Sequence, residues 1–302
     1  MKTSSGSTAY IAALSAIIFW GFSFVWANDL LLKGIPVFTL LFVRLAIAGV
    51  LLFTFSKCLR KLQKVEFKDM LWMGLMAFCE PFVYFLGETF GMQATGSAVI
   101  ASVIIATIPV FCLILEKIIW KVPFNMYKVT GILLTLPGIG MVVFQDGNMT
   151  VEHIYGLALL FMAVIASISY SMTVKKLSAK YTTLTITTYQ FVIGSIFFLP
   201  FFLLFGLDGL TPSFFSFEIL SPLLSLAILC SCVSFAFWVY VIGKLGITRT
   251  NIFSALIPAV SAVGAYLLGQ EGLSTIKIAG IAIVITGVIL AQKETTHPTS
   301  AI

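Results

Sequence analysis

The chain has 302 residues, of which 60% are hydrophobic and 10% charged, with a formal net charge of +6. A soluble domain carries about 25% charged residues, so this composition, with a mean hydropathy of +1.08, excludes an ordinary water-soluble globule. It also argues against a nucleic-acid partner, because the basic residues lie in short connections between apolar runs and form no single patch.

A helix that spans a bilayer needs about 20 predominantly apolar residues. Ten runs qualify in chain order: Tyr10–Ala27, Pro36–Ser56, Asp69–Gly91, Ser97–Trp120, Asn125–Phe144, Ile154–Val174, Leu184–Phe205, Ile219–Gly243, Thr250–Gly269 and Thr275–Ala291. The first run has only Lys2 ahead of it and no small-residue cleavage signature, so it is expected to be a retained helix. The five cysteines sit in or beside apolar runs without a CxxC pair, which suits small core side chains.

Basic residues predict the orientation. With the N-terminus placed in the cytoplasm, the cytoplasmic side receives Lys2, Lys57, Arg60, Lys61, Lys64, Lys68, Lys117, Lys121, Lys128, Lys175, Lys176, Lys180, Lys244, Arg249 and Lys293. Only Lys33 and Lys277 face outward, and Arg44 falls inside a helix. That bias predicts an even number of spans in the cytoplasmic membrane, with both termini inside.

The chain repeats itself. A shift of 149 residues lays Ser97–Gly140 on Gly246–Ile289 without a gap, and Pro109, Gly131 and Gly138 then fall on Pro258, Gly280 and Gly287. Each copy predicts an apolar helix broken at mid-length by proline, a short loop, and a second apolar helix. Five helices per half is an odd number, so the second half must cross the membrane in the opposite sense, as in inverted-repeat transporters. The expected fold is an all-α integral membrane protein, with ten transmembrane helices in two inverted five-helix repeats around a central cavity. The halves are expected at 1–148 and 149–302.

These features resemble the EamA-like carriers of the drug/metabolite transporter superfamily. The resemblance rests on Phe19-Trp20-Gly21, on Phe42-Val43-Arg44-Leu45-Ala46-Ile47-Ala48-Gly49, on the prolines in Ile108-Pro109-Val110-Phe111 and Ile257-Pro258-Ala259-Val260, and on Leu267-Leu268-Gly269-Gln270-Glu271. It covers roughly residues 10–292. In the first half the position matching Glu271 is Val122, so that glutamate is expected to act locally at a helix end. The resemblance implies a central substrate cavity and transport of a small metabolite such as an amino acid or a relative of one, frequently as export.

Ionisable groups within a span are functional candidates because a charge at the bilayer centre costs at least about 2.5–3.5 kcal/mol. Arg44, Glu80 and Glu88 stand out. At 100° per residue Glu80, Tyr84, Gly87, Glu88 and Gly91 share one stripe, which must face the interior. Two readings of Glu80 stand side by side: a group that takes up a proton or a substrate ammonium, or an ion-pair partner of Arg44. Glu88, nearer the helix end, reads as a vestibule residue. Gln190 aligns with Arg44 at a shift of 146, which makes the halves electrostatically unequal.

Pro109 and Pro258 are candidate hinges, each freeing a carbonyl four residues earlier. Ser102, Asn251 and Ser254 on the same two helices, and Trp20 and Trp238 by resemblance, complete the candidate substrate site. The four glycines of the repeat suit close helix contact. His153 and His297 offer no metal-ligand spacing and no nucleophile–base pair, so neither a cofactor nor an enzyme is expected. A channel would need a filter loop or rings of like charge, and neither is visible. The expected partners are a small-molecule substrate, protons as a candidate coupling ion, and membrane lipids. Oligomeric state is not legible.

Overall fold

Ten apolar helices follow one another in the order the hydropathy predicts. In a computed structural model that describes residues 4–120, 125–144 and 150–292, α1 is Ser4–Leu32, α2 Val37–Cys58 and α3 Phe67–Thr95. Helix α4 consists of Ala98–Ile105 and Ile108–Trp120, and α5 is Met126–Val143. Then come α6 (Val151–Leu177), α7 (Thr183–Phe205) and α8 (Phe217–Leu245). Helix α9 runs as Ile247–Asn251, a 3-10 turn Ile252–Leu256 and Ile257–Leu267, and α10 is Thr275–Ala291. The positions of Lys2, Lys121, Val122, Lys293 and His297 lie outside the described residues.

Capping residues set many of the starts. Ser97, Asn125, Thr150, Thr182 and Ser274 each accept a hydrogen bond from the backbone N–H three residues on, which satisfies a donor the helix leaves unpaired. Gly96 ends α3 in the left-handed region (φ 64°), where a side chain would be strained.

Eight of the described helices are long and apolar enough to cross a membrane. The two shorter ones are instructive. Helix α10 has 17 residues, and the fourth run, expected as one span, is cut in two at Ala106–Thr107. Pro109 is the second residue of the new piece and Pro258 opens the first turn of its own. A proline there has no N–H that the helix needs, so both prolines restart helices and do not bend continuous ones.

The packing itself carries the duplication. A Cβ on Gly138 would meet the Gly280 carbonyl at 2.9 Å and Val284 Cγ2 at 2.8 Å, and one on Gly287 would meet the Gly131 carbonyl at 2.9 Å and Thr135 Cγ2 at 2.8 Å. Moving by 149 residues turns the first set of contacts into the second. Helices α5 and α10 thus cross as two antiparallel copies of one element. Helices α2 and α7 do the same at a shift of 146: the Phe42 and Phe202 rings stack at 4.4 Å, and Ser56 and Thr188 hydroxyls meet at 2.8 Å. The ends are tied by polar contacts. Asp69 accepts from Lys180 Nζ at 3.0 Å and from the Tyr181 hydroxyl at 2.8 Å, and that hydrogen bond holds the Lys180 ammonium above its ordinary range.

Candidate functional site

Helix α3 changes geometry at its middle. Over Phe78–Val83 the turn widens, and Glu80 leaves the helical region altogether, at φ −147° and ψ 115°. The sequence supplies the reason: Pro81 lacks an N–H and pushes the residue before it toward extended backbone. Gly194 on α7 makes room for the ring, since a Cβ there would come 2.5 Å from Pro81 Cγ. The Glu80 carbonyl, freed from the helix, is then satisfied by Gln190 Nε2 at 3.2 Å, and the Gln190 oxygen accepts from the Tyr170 hydroxyl at 3.3 Å. Helix α8 widens over the corresponding stretch, Leu226–Val233, without a proline.

Beside the α3 break lies a narrow cavity. Its polar wall is Ser23, Arg44, Glu80, Tyr84, Glu88, Ser167, Asn251 and Ser254. Its apolar wall is Trp20, Phe24, Phe85, Phe235 and Trp238, with Ile105, Ile108 and Ile257 from the two broken helices. Trp20 and Trp238 stand with ring centroids 4.8 Å apart, and Trp20 Nε1 donates to the Cys230 carbonyl at 3.0 Å. That bond fixes the indole against the widened turn of α8.

The three intramembrane ionisable groups have different surroundings. Arg44 Nε donates to Ser231 Oγ at 2.8 Å, and its guanidinium carbon lies 4.3 Å from the Phe85 centroid. Glu88 accepts from the Tyr84 hydroxyl at 3.1 Å. Glu80 shares the cavity wall with Ser167, and its Oε2 is buried without a hydrogen-bond partner among the described residues. The Glu80–Arg44 ion pair raised by the sequence is not among the described salt bridges, which join Lys33 to Asp29, Lys180 to Asp69 and Lys277 to Glu271. The helix break turns Glu80 away from helical register, while Arg44 is engaged by α8.

The structure therefore gathers Trp20, Arg44, Glu80, Tyr84, Glu88, Trp238, Asn251 and Ser254 in one place. Glu88 is 7% exposed, a wall residue of the same cavity and not an open vestibule group. Ser102 is the exception: fully buried, its hydroxyl donates to the Val99 carbonyl at 2.8 Å and it does not line the cavity. Sequence reasoning missed Ser23, one turn after Trp20, and Phe235, one turn before Trp238, although helical spacing from the chosen tryptophans would have found both. Ser167, on α6, left no comparable signal. Among the described residues no group of three His, Cys, Asp or Glu side chains could hold a metal ion.

Long apolar helices and a polar, aromatic-walled cavity mark a multi-pass membrane protein. The chain belongs to the EamA-like transporter family, which matches residues 7–144 and again residues 154–292. It is similar to an uncharacterized transporter of Archaeoglobus fulgidus, with 26% identity covering 94% of this chain and 99% of the relative. It is also similar to the uncharacterized transporter YetK of Bacillus subtilis, with 25% identity over 96% and 88% of the two chains. A probable terminal-alkyne amino-acid exporter of Streptantibioticus cattleyicolor shares 23% identity over 65% of this chain and 64% of its own. A solved crystal structure matches with a TM-score of 0.71 at 15% identity, covering 94% of this chain and 96% of the other. The protein is a non-enzymatic carrier.

Proposed function

We propose that this protein is a secondary active transporter that moves a small organic metabolite, an amino acid or a close relative, by alternating access across the cytoplasmic membrane. The observation that carries this reading is the Glu80 carboxylate, 5% exposed and with Oε2 unpartnered among the described residues, on the wall of the central cavity. A buried carboxylate is unfavourable until a cation or a proton compensates it. A substrate ammonium and a proton are the two compensators a carrier can exchange. Arg44 supplies the complementary charge for a substrate carboxylate, and Trp20 and Trp238 offer faces for an apolar or cationic side chain. The name of the Streptantibioticus cattleyicolor relative supports an amino-acid cargo and outward transport. The bias of basic residues supports cytoplasmic termini, and the repeated break at Pro109 and Pro258 supports a hinge within each of the halves 1–148 and 149–302.

The test is counterflow in proteoliposomes with a panel of amino acids and amines. Saturable exchange of at least one panel member is expected, and Glu80→Gln should lower it by about tenfold or more while removing its response to an imposed pH gradient. Linear, unsaturated flux would favour a pore instead. Undiminished, pH-responsive exchange in Glu80→Gln would remove Glu80 from the site.

A further inference from the structure

The connection from α9 to α10 carries two successive polar side chains that reach in different directions. The Glu271 carboxylate lies 2.9 and 3.0 Å from Ser97 Oγ and accepts from the Val99 backbone N–H at 3.2 Å, so it caps the start of α4. Its Oε2 also accepts from Lys277 Nζ at 2.8 Å, and the side chains of this pair are 12% and 5% exposed. Gln270 turns the other way. Its Nε2 donates to the Val25 carbonyl at 3.0 Å, and its Oε1 accepts from Asn28 Nδ2 at 3.2 Å on α1.

These contacts hold one end of the bundle together. Between them and the cavity, Ala98, Val99, Ser261 and Ala265 are all buried, and Ser261 Oγ donates to the Ala98 carbonyl at 3.4 Å. These residues pack the stretch of α4 and α9 that separates the cavity wall from this end. The opposite end has no counterpart in its sequence: the shift of 149 places Lys121 on Gln270, Val122 on Glu271 and Gly246 on Ser97. The helices thus occur in both copies, while this pair of polar residues occurs in one.

We propose that Gln270 and Glu271 form a one-sided latch, which holds the cavity shut at the end where α3 meets α4 and α9 meets α10, and which must release for the cavity to open there. This rests on the alternating-access reading above and goes beyond it. The division of contacts explains how a buried carboxylate can let go. Lys277 belongs to the same side of the latch as Glu271, so the charge stays paired while Ser97 and the α4 N–H separate from it. Release then breaks hydrogen bonds and strands no ion.

The test is site-directed thiol labelling of a cavity reporter, Ser23→Cys, in a chain whose five native cysteines are replaced by alanine or serine. A membrane-impermeant maleimide is applied to each face of oriented proteoliposomes in turn. Glu271→Ala is expected to raise the labelling rate from the latch end by about tenfold or more relative to the other face. Ser97→Ala and Gln270→Ala, each removing one arm, should shift the same ratio by less. An unchanged ratio in a Glu271→Ala protein that melts within a few degrees of its parent overturns the latch, as does an equal rise from both faces. If Glu271→Ala fails to fold, the two single-arm variants decide: a shift supports the latch and no shift in either overturns it. Labelling needs no substrate, so a failure of the cargo assignment leaves this result readable.

Discussion

Arg44 Nε donates to Ser231 Oγ at 2.8 Å, and Ser231 Oγ in turn donates to the Leu226 carbonyl at 2.9 Å in the widened turn of α8. Gln190, which aligns with Arg44 at a shift of 146, makes the equivalent reach in the other half, to the Glu80 carbonyl in the widened turn of α3. One side chain from each of the paired helices α2 and α7 thus supports the opened helix of the opposite half. The supports differ in charge, and only the Arg44 side brings a cation into the cavity. Replacing Arg44 by Lys should therefore be poorly tolerated, because an ammonium cannot both bond Ser231 and lie flat over Phe85. Counterflow by Arg44→Lys and by Ser231→Ala is expected to fall by about tenfold or more in each case, since a hydrogen bond to a charged group contributes about 1.5–3 kcal/mol.

The hydroxyls and amides on the broken helices should separate cleanly in the same assay. Asn251 and Ser254 line the cavity, whereas Ser102 spends its hydroxyl on the Val99 carbonyl and lies behind the wall. Asn251→Ala and Ser254→Ala are expected to change the apparent affinity for transported substrate severalfold, while Ser102→Ala should stay within about twofold of the parent. A strong transport defect in Ser102→Ala without loss of folded protein would show that the cavity extends further along α4.

Tyr84 and Glu88 give a graded prediction. The Tyr84 hydroxyl donates to Glu88 at 3.1 Å, so Tyr84→Phe leaves a buried carboxylate short of one donor, an omission worth about 1–3 kcal/mol. Transport should fall in Tyr84→Phe and recover in part in the double variant with Glu88→Gln, where the charge that needed the donor is gone. A double-mutant cycle on counterflow rates measures that coupling. Additive losses would mean that the two side chains act independently.

Much of the fold was legible because its causes are local. Hydropathy runs locate ten helices, proline marks where α4 and α9 restart, and the glycine spacing marks where α5 and α10 touch. The site was legible to the extent that intramembrane charge is exceptional: Glu80, Glu88 and Arg44 announce themselves in an apolar chain. What failed depended on details of direction. Helical periodicity cannot tell that Glu80 leaves the helix, so its pairing with Arg44 looked as natural as the arrangement in which Ser231 takes the guanidinium. Ser102 shares a broken helix with wall residues Ile105 and Ile108, yet it bonds back onto its own turn, as serines in helices do. Glu271 was legible as a local residue at a helix end, but its partners Ser97 and Val99 lie 174 and 172 residues away, beyond any pattern in one sequence.

The crossing of α5 and α10 offers a stability prediction in which symmetry itself is tested. Gly138 and Gly287 occupy equivalent places, and a Cβ on either would press a carbonyl at 2.9 Å and a neighbouring methyl at 2.8 Å. Backbone cannot yield as a flexible side chain can, so Gly138→Ala and Gly287→Ala should each destabilise by about 1–3 kcal/mol and by similar amounts. Gly140, on the same helix, has only Phe144 Cδ2 at 3.8 Å, and Gly74 on α3 has nothing within 4 Å. Alanine at those two positions should leave stability unchanged or raise it by up to about 1 kcal/mol, the ordinary gain from replacing a helical glycine. Thermal melting of the four variants in detergent measures the contrast. Equal shifts at all four sites would mean that the close approach of α5 and α10 does not hold, and with it the reciprocal packing of the two halves.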